Sequence, residues 1–181
     1  TGGATFAYFS DTETSTGNTF TAGTLDLKLD EGDDNVVKFK LADLKPGDSG
    51  VGTWALRNAG SIPGYLDLES ISVVDDPGTT PESEPTPDNG ELGANMDVVL
   101  FWDDGAGNGI AGNGIQDGTE ATIYSGKLAS ISVAEQNYPL AAGATTYISL
   151  TWSIGSGVGN EIQGDISTLN ITFELAQTTG Q

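Results

Sequence analysis

Short runs of alternating apolar and polar residues recur along this chain, and almost no stretch shows helical periodicity. The clearest run covers residues 24–29, where Leu25, Leu27 and Leu29 alternate with polar residues. Because successive side chains of a strand point to opposite faces, this pattern predicts a β-strand with one buried face. Gly, Asn, Asp, Ser and Pro separate the runs, as is typical of turns.

The same pattern predicts strands over most of the chain. They cover residues 20–29, 36–41, 50–58, 65–68, 71–74, 97–101, 121–125, 147–154 and 169–175. Residues 127–133 fit either a short helix or a further strand. Many short strands without crossover helices favour an all-β sandwich or barrel of antiparallel sheets.

One segment interrupts this rhythm. Residues 75–93 hold four prolines among acids and threonines, which predicts a solvated surface loop inserted within a domain. No other composition change marks a boundary. We therefore expect one β-sandwich domain over residues 11–181, preceded by a separate N-terminal strand over residues 1–10.

That N-terminal strand is unusually apolar for a chain terminus. Alternation places Ala4, Phe6 and Tyr8 on one face and Thr5, Ala7 and Phe9 on the other. A strand that is apolar on both faces is expected to be buried between two layers. The residues alone leave open whether it enters its own core or that of a neighbour.

The composition excludes several classes of function. Asp and Glu total 26 against 6 Lys and Arg, giving a net charge of −20. Nucleic acid and anionic membranes are therefore not expected partners. Such an acidic surface is instead expected in a protein that binds divalent cations or functions in high salt. The chain has no His and no Cys, which removes disulfides and most zinc-hydrolase or Ser-His-Asp schemes. No run is apolar enough to span a membrane, and the start at Thr1 predicts a removed leader peptide.

Three strings resemble the TasA and camelysin family of secreted biofilm-matrix proteins, which includes archaeal bundling pilins. The most specific is Ala-Tyr-Phe-Ser-Asp-Thr-Glu at 7–13, followed by residues 18–27. The second is Leu-Lys-Pro-Gly-Asp-Ser-Gly at 44–50, followed by Leu-Arg-Asn-Ala-Gly-Ser at 56–61. The third, at 159–165, precedes the last predicted strand.

The resemblance implies a secreted, jelly-roll-like sandwich that polymerises into a filament at the cell surface or in the biofilm matrix. In such filaments the N-terminal strand of one subunit completes the sheet of the next, with lateral bundling of filaments in some members. The corresponding donor strand here is Ala4, Thr5, Phe6, Ala7, Tyr8, Phe9 and Ser10. Camelysins have been called proteases, but the chain has no H-E-x-x-H motif, so we expect no enzyme activity.

A glycine-rich acidic loop at 103–120 is the most chemically specific segment. The pentapeptide Ala-Gly-Asn-Gly-Ile occurs twice in tandem, at 106–110 and 111–115. With one copy removed, residues 104–120 resemble a calcium loop of about twelve residues of EF-hand type, except that Ala stands at the third ligand position. The candidate ligands are Asp103, Asp104, Asn108, Asn113, Ile115 through its carbonyl, Asp117 and Glu120. The alternative is an ion-free turn built on Asn-Gly and Asp-Gly.

Two other functions stay open from the sequence. A monomeric surface module could bind glycans through calcium and exposed aromatics, and a secreted enzyme could act through paired carboxylates. Asn170 begins the sequon Asn-Ile-Thr, a weak N-glycosylation signal. Trp54, Trp102 and Trp152 lie in predicted strands, which favours packing over sugar binding.

Overall fold

The computed structural model describes residues 24–31, 44–78 and 89–180. The predicted donor strand, the predicted strand at 36–41 and the centre of the predicted loop at 75–93 lie outside these ranges. The strands of the described ranges are β1 (Leu27–Leu29), β2 (Ser49–Asn58), β3 (Gly64–Asp76), β4 (Met96–Trp102), β5 (Thr122–Lys127), β6 (Tyr138–Leu140), β7 (Thr145–Ile154) and β8 (Ile166–Ala176). A four-residue helix, α1 (Leu92–Asn95), precedes β4.

The described strands form two antiparallel sheets. The larger has the order β1-β2-β7-β4-β5, and the smaller has the order β6-β3-β8. Most neighbours in the sheets are not consecutive in the chain, which is the connectivity of Greek-key sandwiches and jelly rolls. The predicted all-β, jelly-roll-like antiparallel sandwich is therefore confirmed.

Period-two alternation places the core between the sheets. In β2, Trp54 and Leu56 point inward, and Val98, Leu100 and Trp102 of β4 do the same. Leu66, Leu68 and Leu140 from the smaller sheet pack against them. Each fully buried side chain of this size stabilises the fold by about 1.5–3 kcal/mol before the cost of ordering the chain. Trp54, Trp102 and Trp152 are all buried, which confirms their assignment to packing.

The structure corrects two local predictions and decides between the alternatives of a third. The strands expected at 65–68 and 71–74 form one strand, β3, with an irregular register between Leu68 and Ser70. Residues 127–133 contain a short 3₁₀ helix, Leu128–Ser130, in agreement with the short-helix alternative. The region 75–93 is only partly a loop, because β3 continues to Asp76 and α1 begins at Leu92. In the described ranges no helix has the length and apolar character needed to cross a membrane.

Candidate assembly edge and acidic loop

The strand β8 borders only β3 among the described strands, so one edge of its eleven residues has no strand partner there. Alternate residues of such an edge present backbone N–H and C=O groups that can pair with another strand. The inward side chains of β8 are Leu169, Ile171, Phe173 and Leu175. They pack against the core but are only partly buried, unlike the fully buried Leu66 in the next strand.

The other edge of the small sheet is better covered. β6 pairs with residues 64–66 of β3. Just beyond that pairing, the buried carboxylate of Asp67 accepts hydrogen bonds from the backbone N–H groups of Gln136 and Asn137. Residues 136–138 are therefore held against the start of β3. Beyond Asp67 this edge of β3 also has no strand partner among the described strands, so β8 is the longer of two open edges of the small sheet.

The turn after β2 fixes the segment that enters β1. Asn58 is fully buried, and its side chain binds the Ile62 carbonyl at 2.8 Å and the Gly60 N–H at 3.0 Å. This turn also holds Thr24, whose carbonyl accepts a hydrogen bond from the Ser61 N–H at 2.8 Å. A β-carbon at Gly60 would collide with that carbonyl, so only glycine allows this approach. The turn therefore fixes the position of Thr24 relative to the end of β2.

The residue after Thr24 lies close to β8. The Leu25 and Leu175 side chains both come within about 3 Å of the point where a β-carbon of Gly64 would stand. Leu25 therefore neighbours the C-terminal end of β8. The predicted donor residues, Ala4 to Ser10, lie outside the described residues.

In the acidic loop, Asp103 is a fully buried carboxylate that organises the chain around it. Its Oδ1 accepts from the N–H groups of Gly112 (2.7 Å) and Asn113 (3.2 Å). Its Oδ2 accepts from the Gly114 N–H (2.7 Å) and the Ser149 hydroxyl (2.6 Å). Three backbone amides of the second pentapeptide are thus attached to β7 through one side chain.

The sequence did not reveal what the loop covers. Leu100 and Trp102 point inward, so Phe101 must point to the outer face of the larger sheet, yet Phe101 is fully buried. The loop packs on that same face, with Gly112 against the Tyr147 ring and Gly114 against Val51. A small second core therefore lies under the loop. The sequence signal that could have indicated this second core was an aromatic residue, Phe101, at an outward position just before a long loop.

The other predicted ligands take different places in the loop. Glu120 is buried and accepts from the N–H groups of Gly105 and Asp117, which closes the loop on itself. The Asn113 amide donates to Asp117 Oδ2 at 3.2 Å, whereas Asn108 is exposed with a left-handed backbone. The Ile115 side chain is exposed.

Asp104 is directed toward a neighbouring aromatic pair. Its Oδ2 accepts from the Tyr138 hydroxyl at 3.0 Å, and the Tyr138 ring stacks on Trp102 with centroids 4.1 Å apart. Burial raises the pKa of the Tyr138 hydroxyl above its ordinary value, and the Asp104 carboxylate adds to the effect.

The described residues contain no group of three or more Asp or Glu side chains arranged to hold a metal ion. Asp117 Oδ1 and Glu120 Oε1 do approach each other, since both lie within about 3.1 Å of the β-carbon position of Gly109. Calcium binding at this loop stays a prediction. The ion would need backbone and amide oxygens as further ligands.

We expect millimolar Ca²⁺ to raise the unfolding temperature of the intact chain by several degrees, because an ion bound only to the folded state stabilises it by mass action. EDTA should reverse the shift, and Asp117→Asn should abolish it. Asp97→Asn, a surface carboxylate remote from the loop, serves as the control. Thermal melts that are identical with Ca²⁺ and with EDTA would contradict the prediction.

Asn170 is exposed on the outer face of β8, opposite Ser72 of β3. The side chain is therefore accessible for modification in the folded chain. Glycosylation at this position stays a prediction.

Comparison with known families gives a match that spans residues 1–181, to a family described as camelysin metallo-endopeptidase. This confirms the resemblance found in the sequence. Comparison with curated proteins gave no match.

The family description implies a catalytic metal ion. Catalytic zinc in hydrolases is normally held by three protein ligands that include His or Cys. The chain contains neither residue type. Within the described ranges, no three carboxylates are arranged to replace them. The available donor set does not fit a peptidase zinc site.

Proposed function

This chain belongs to the camelysin family over its whole length, and we propose that it is a non-catalytic structural subunit of an extracellular filament, either a pilus or a biofilm-matrix fibre. Subunits join head to tail by donor-strand complementation, with residues 4–10 of one copy adding a strand to the small sheet of the next. The observation that carries the proposal is the partner-free edge of β8 within the described ranges.

The chemistry of that edge suits an added apolar strand. Strand addition supplies backbone hydrogen bonds, and pockets for alternate side chains supply specificity. The half-buried row formed by Leu169, Ile171 and Phe173 would gain cover from the donor. The bulky donor face, Phe6 and Tyr8, is the one we expect to point into the acceptor core. With Phe9, it supplies roughly 5–9 kcal/mol by apolar area before the costs of association.

The connection between donor and body suits this arrangement. Residues 11–19 are polar and rich in Thr, Ser and Gly, which makes a linker able to reach another molecule. The body is held at Thr24 by the turn after β2. Because donor and acceptor are different surfaces of the same chain, the contact does not close on itself and builds a filament.

The proposal includes secretion through a leader peptide that is removed, and a final place at the cell surface or in the biofilm matrix. The partners are further copies of this chain. The acidic surface supports an extracellular location indirectly, because it disfavours nucleic acid and anionic membranes as partners.

A competing arrangement uses the same edge within one molecule. Leu25 lies beside Leu175, so the N-terminal strand could turn back onto its own β8. Self-complementation makes a monomer at every concentration, whereas donation to a neighbour makes polymers that grow with concentration. The two arrangements are therefore separated by assembly state.

Electron microscopy of the purified full-length chain tests the proposal, with Phe6→Asp and Thr5→Asp as a matched pair. We expect filaments from the native chain and from Thr5→Asp, but none from Phe6→Asp, because a charge on the inserted face would be buried without a partner. Loss of filaments in Thr5→Asp but not in Phe6→Asp would reverse the assignment of the inserted face, and loss in both would mean that both faces of the donor are buried. Filaments in both variants, or in neither the native chain nor the variants, would contradict donor-strand assembly.

A further inference from the structure

The tandem pentapeptide of the acidic loop contains the pair Asn-Gly twice, as Asn108-Gly109 and Asn113-Gly114. Each pair follows Ala-Gly and precedes Ile, so the two have the same immediate neighbours. In an Asn-Gly pair the backbone nitrogen of the glycine can attack the asparagine side chain, because glycine has no β-carbon to obstruct the approach. Two identical sequences in one loop therefore differ in this reaction only through the contacts that the fold gives them.

The second pair is held at both of the groups that would react. The Gly114 nitrogen is buried and donates to the Asp103 carboxylate at 2.7 Å. The Asn113 side chain donates to Asp117 Oδ2 at 3.2 Å and accepts from the Ile115 N–H at 2.7 Å. Attack by Gly114 on Asn113 therefore requires the loss of a buried, charge-assisted hydrogen bond and the release of the side chain.

The first pair is held much less firmly. Asn108 is exposed with a left-handed backbone, and its side chain makes no hydrogen bond to the described part of the chain. The Gly109 nitrogen donates to the Ala106 carbonyl over a long distance, 3.3 Å. That carbonyl also accepts from the Thr119 N–H at 2.9 Å, the shorter of the two bonds. Little therefore restrains the Gly109 nitrogen or the Asn108 side chain.

We propose that Asn108 is a site of spontaneous deamidation in the folded protein and that Asn113 is protected from it. The Gly109 nitrogen, after losing its proton to hydroxide, forms a bond to the side-chain carbonyl carbon of Asn108. The bond from that carbon to the amide nitrogen breaks, and ammonia leaves with a proton taken from water. Water then opens the cyclic succinimide at either carbonyl, which leaves aspartate or isoaspartate at position 108. The net reaction consumes water and releases ammonia, with no oxidant or reductant.

The product changes the charge of the loop. Asp117 Oδ1 and Glu120 Oε1 both lie within about 3.1 Å of the point where a β-carbon of Gly109 would stand. A new carboxylate at the residue before Gly109 therefore joins two existing ones, and the like charges repel one another. Isoaspartate also inserts a methylene group into the backbone beside this closely packed glycine. Both products loosen the loop, and they accumulate with the age of the protein whether or not the chain polymerises.

The test follows both asparagines in one sample. The native full-length chain is incubated in mildly alkaline buffer, and mass spectrometry of its fragmented peptides gives the deamidated fraction at each position with time. We expect Asn108 to react at least about tenfold faster than Asn113, which corresponds to about 1.4 kcal/mol in activation free energy. Asn89-Gly90, a third pair that lies outside the loop, is scored separately.

Unfolding supplies the matched control. In concentrated urea the two pairs keep their sequence and lose their contacts, so their rates should become nearly equal. In the folded chain, Asp103→Asn should accelerate Asn113 toward the rate of Asn108, because Gly114 loses its charged acceptor. Asn108→Gln should remove the fast reaction and leave Asn113 slow. If Asp103→Asn fails to fold, the comparison in urea carries the test.

Four results would overturn the proposal. In the folded chain these are equal rates at Asn108 and Asn113, a faster reaction at Asn113, and no reaction at either position. The fourth is a difference in rate that persists in urea, because the sequence around each pair, rather than the fold, would then set the rates.

Discussion

Removal of residues 1–10 is expected to abolish filaments completely while leaving a folded monomeric sandwich. The fully buried core residues, such as Leu56, Leu100 and Ile148, come from strands that the deletion does not touch. The deletion removes the aromatic side chains that supply most of the expected contact energy between subunits. At 1.4 kcal/mol for each tenfold change in affinity, the loss of even half of that energy is enough to prevent assembly at micromolar concentrations. Electron microscopy measures the loss of filaments, and far-UV circular dichroism measures retention of the fold.

A peptide of residues 1–10, added in trans, separates loss of the donor from general damage. It should raise the unfolding temperature of the truncated chain by covering β8, because it binds only the folded state. It should not restore filaments, since it carries no acceptor. The same peptide with Phe6→Asp is the control and should have no effect. Filaments in the truncated chain would show that another contact drives assembly.

The strands were predictable where burial alternates cleanly. In β2, β4 and β7 one face enters the core, so apolar side chains recur at every second position. The prediction failed in β3 because Glu69 and Ser70 are consecutive exposed residues at the register irregularity, which breaks the alternation into two apparent strands. β6 escaped prediction because it has three residues, one of them Pro139, and exists through its pairing with residues 64–66.

The edge position of β8 could not be predicted from its own residues. Its inward row of Leu and Phe has the same pattern as a central strand, and only the order of the sheet shows that one neighbour is missing within the described ranges. Local sequence patterns carry no information on such a long-range arrangement, since strand order depends on connections between distant segments. For the same reason, the burial of Phe101 became visible only when the loop was seen to fold back onto the sheet.

In the acidic loop, the sequence correctly singled out the carboxylates that matter. The role that it suggested for them, cation binding, differs from the hydrogen bonding that the structure shows. The spacing of oxygen-bearing side chains suggested an ion. In the structure, the carboxylates of Asp103 and Glu120 accept hydrogen bonds from backbone amides of the loop. Both roles use the same chemistry, because a carboxylate can bind either a cation or several N–H groups. The two roles differ in what happens when one carboxylate is replaced.

Asp103→Asn is expected to lower the free energy of unfolding by about 3 kcal/mol or more. The carboxylate accepts four hydrogen bonds in a fully buried position, and bonds to a charged group are worth about 1.5–3 kcal/mol each. An asparagine can keep its oxygen toward Gly112 and Asn113. Its amide group would then face the Gly114 N–H, so that this buried donor loses its acceptor.

Chemical denaturation measures this loss, and the surface variant Asp97→Asn is the matched control. Asp97 is exposed and forms a surface ion pair with Lys127, so its replacement should change stability by less than about 1 kcal/mol. Release of the loop should also expose Phe101 and allow proteolysis between residues 104 and 118, which provides a local readout beside the global one. A loss for Asp103→Asn no larger than that for Asp97→Asn would mean that the loop holds its place without the buried carboxylate. The second core under it would then rest on Phe101 and the close glycine contacts alone.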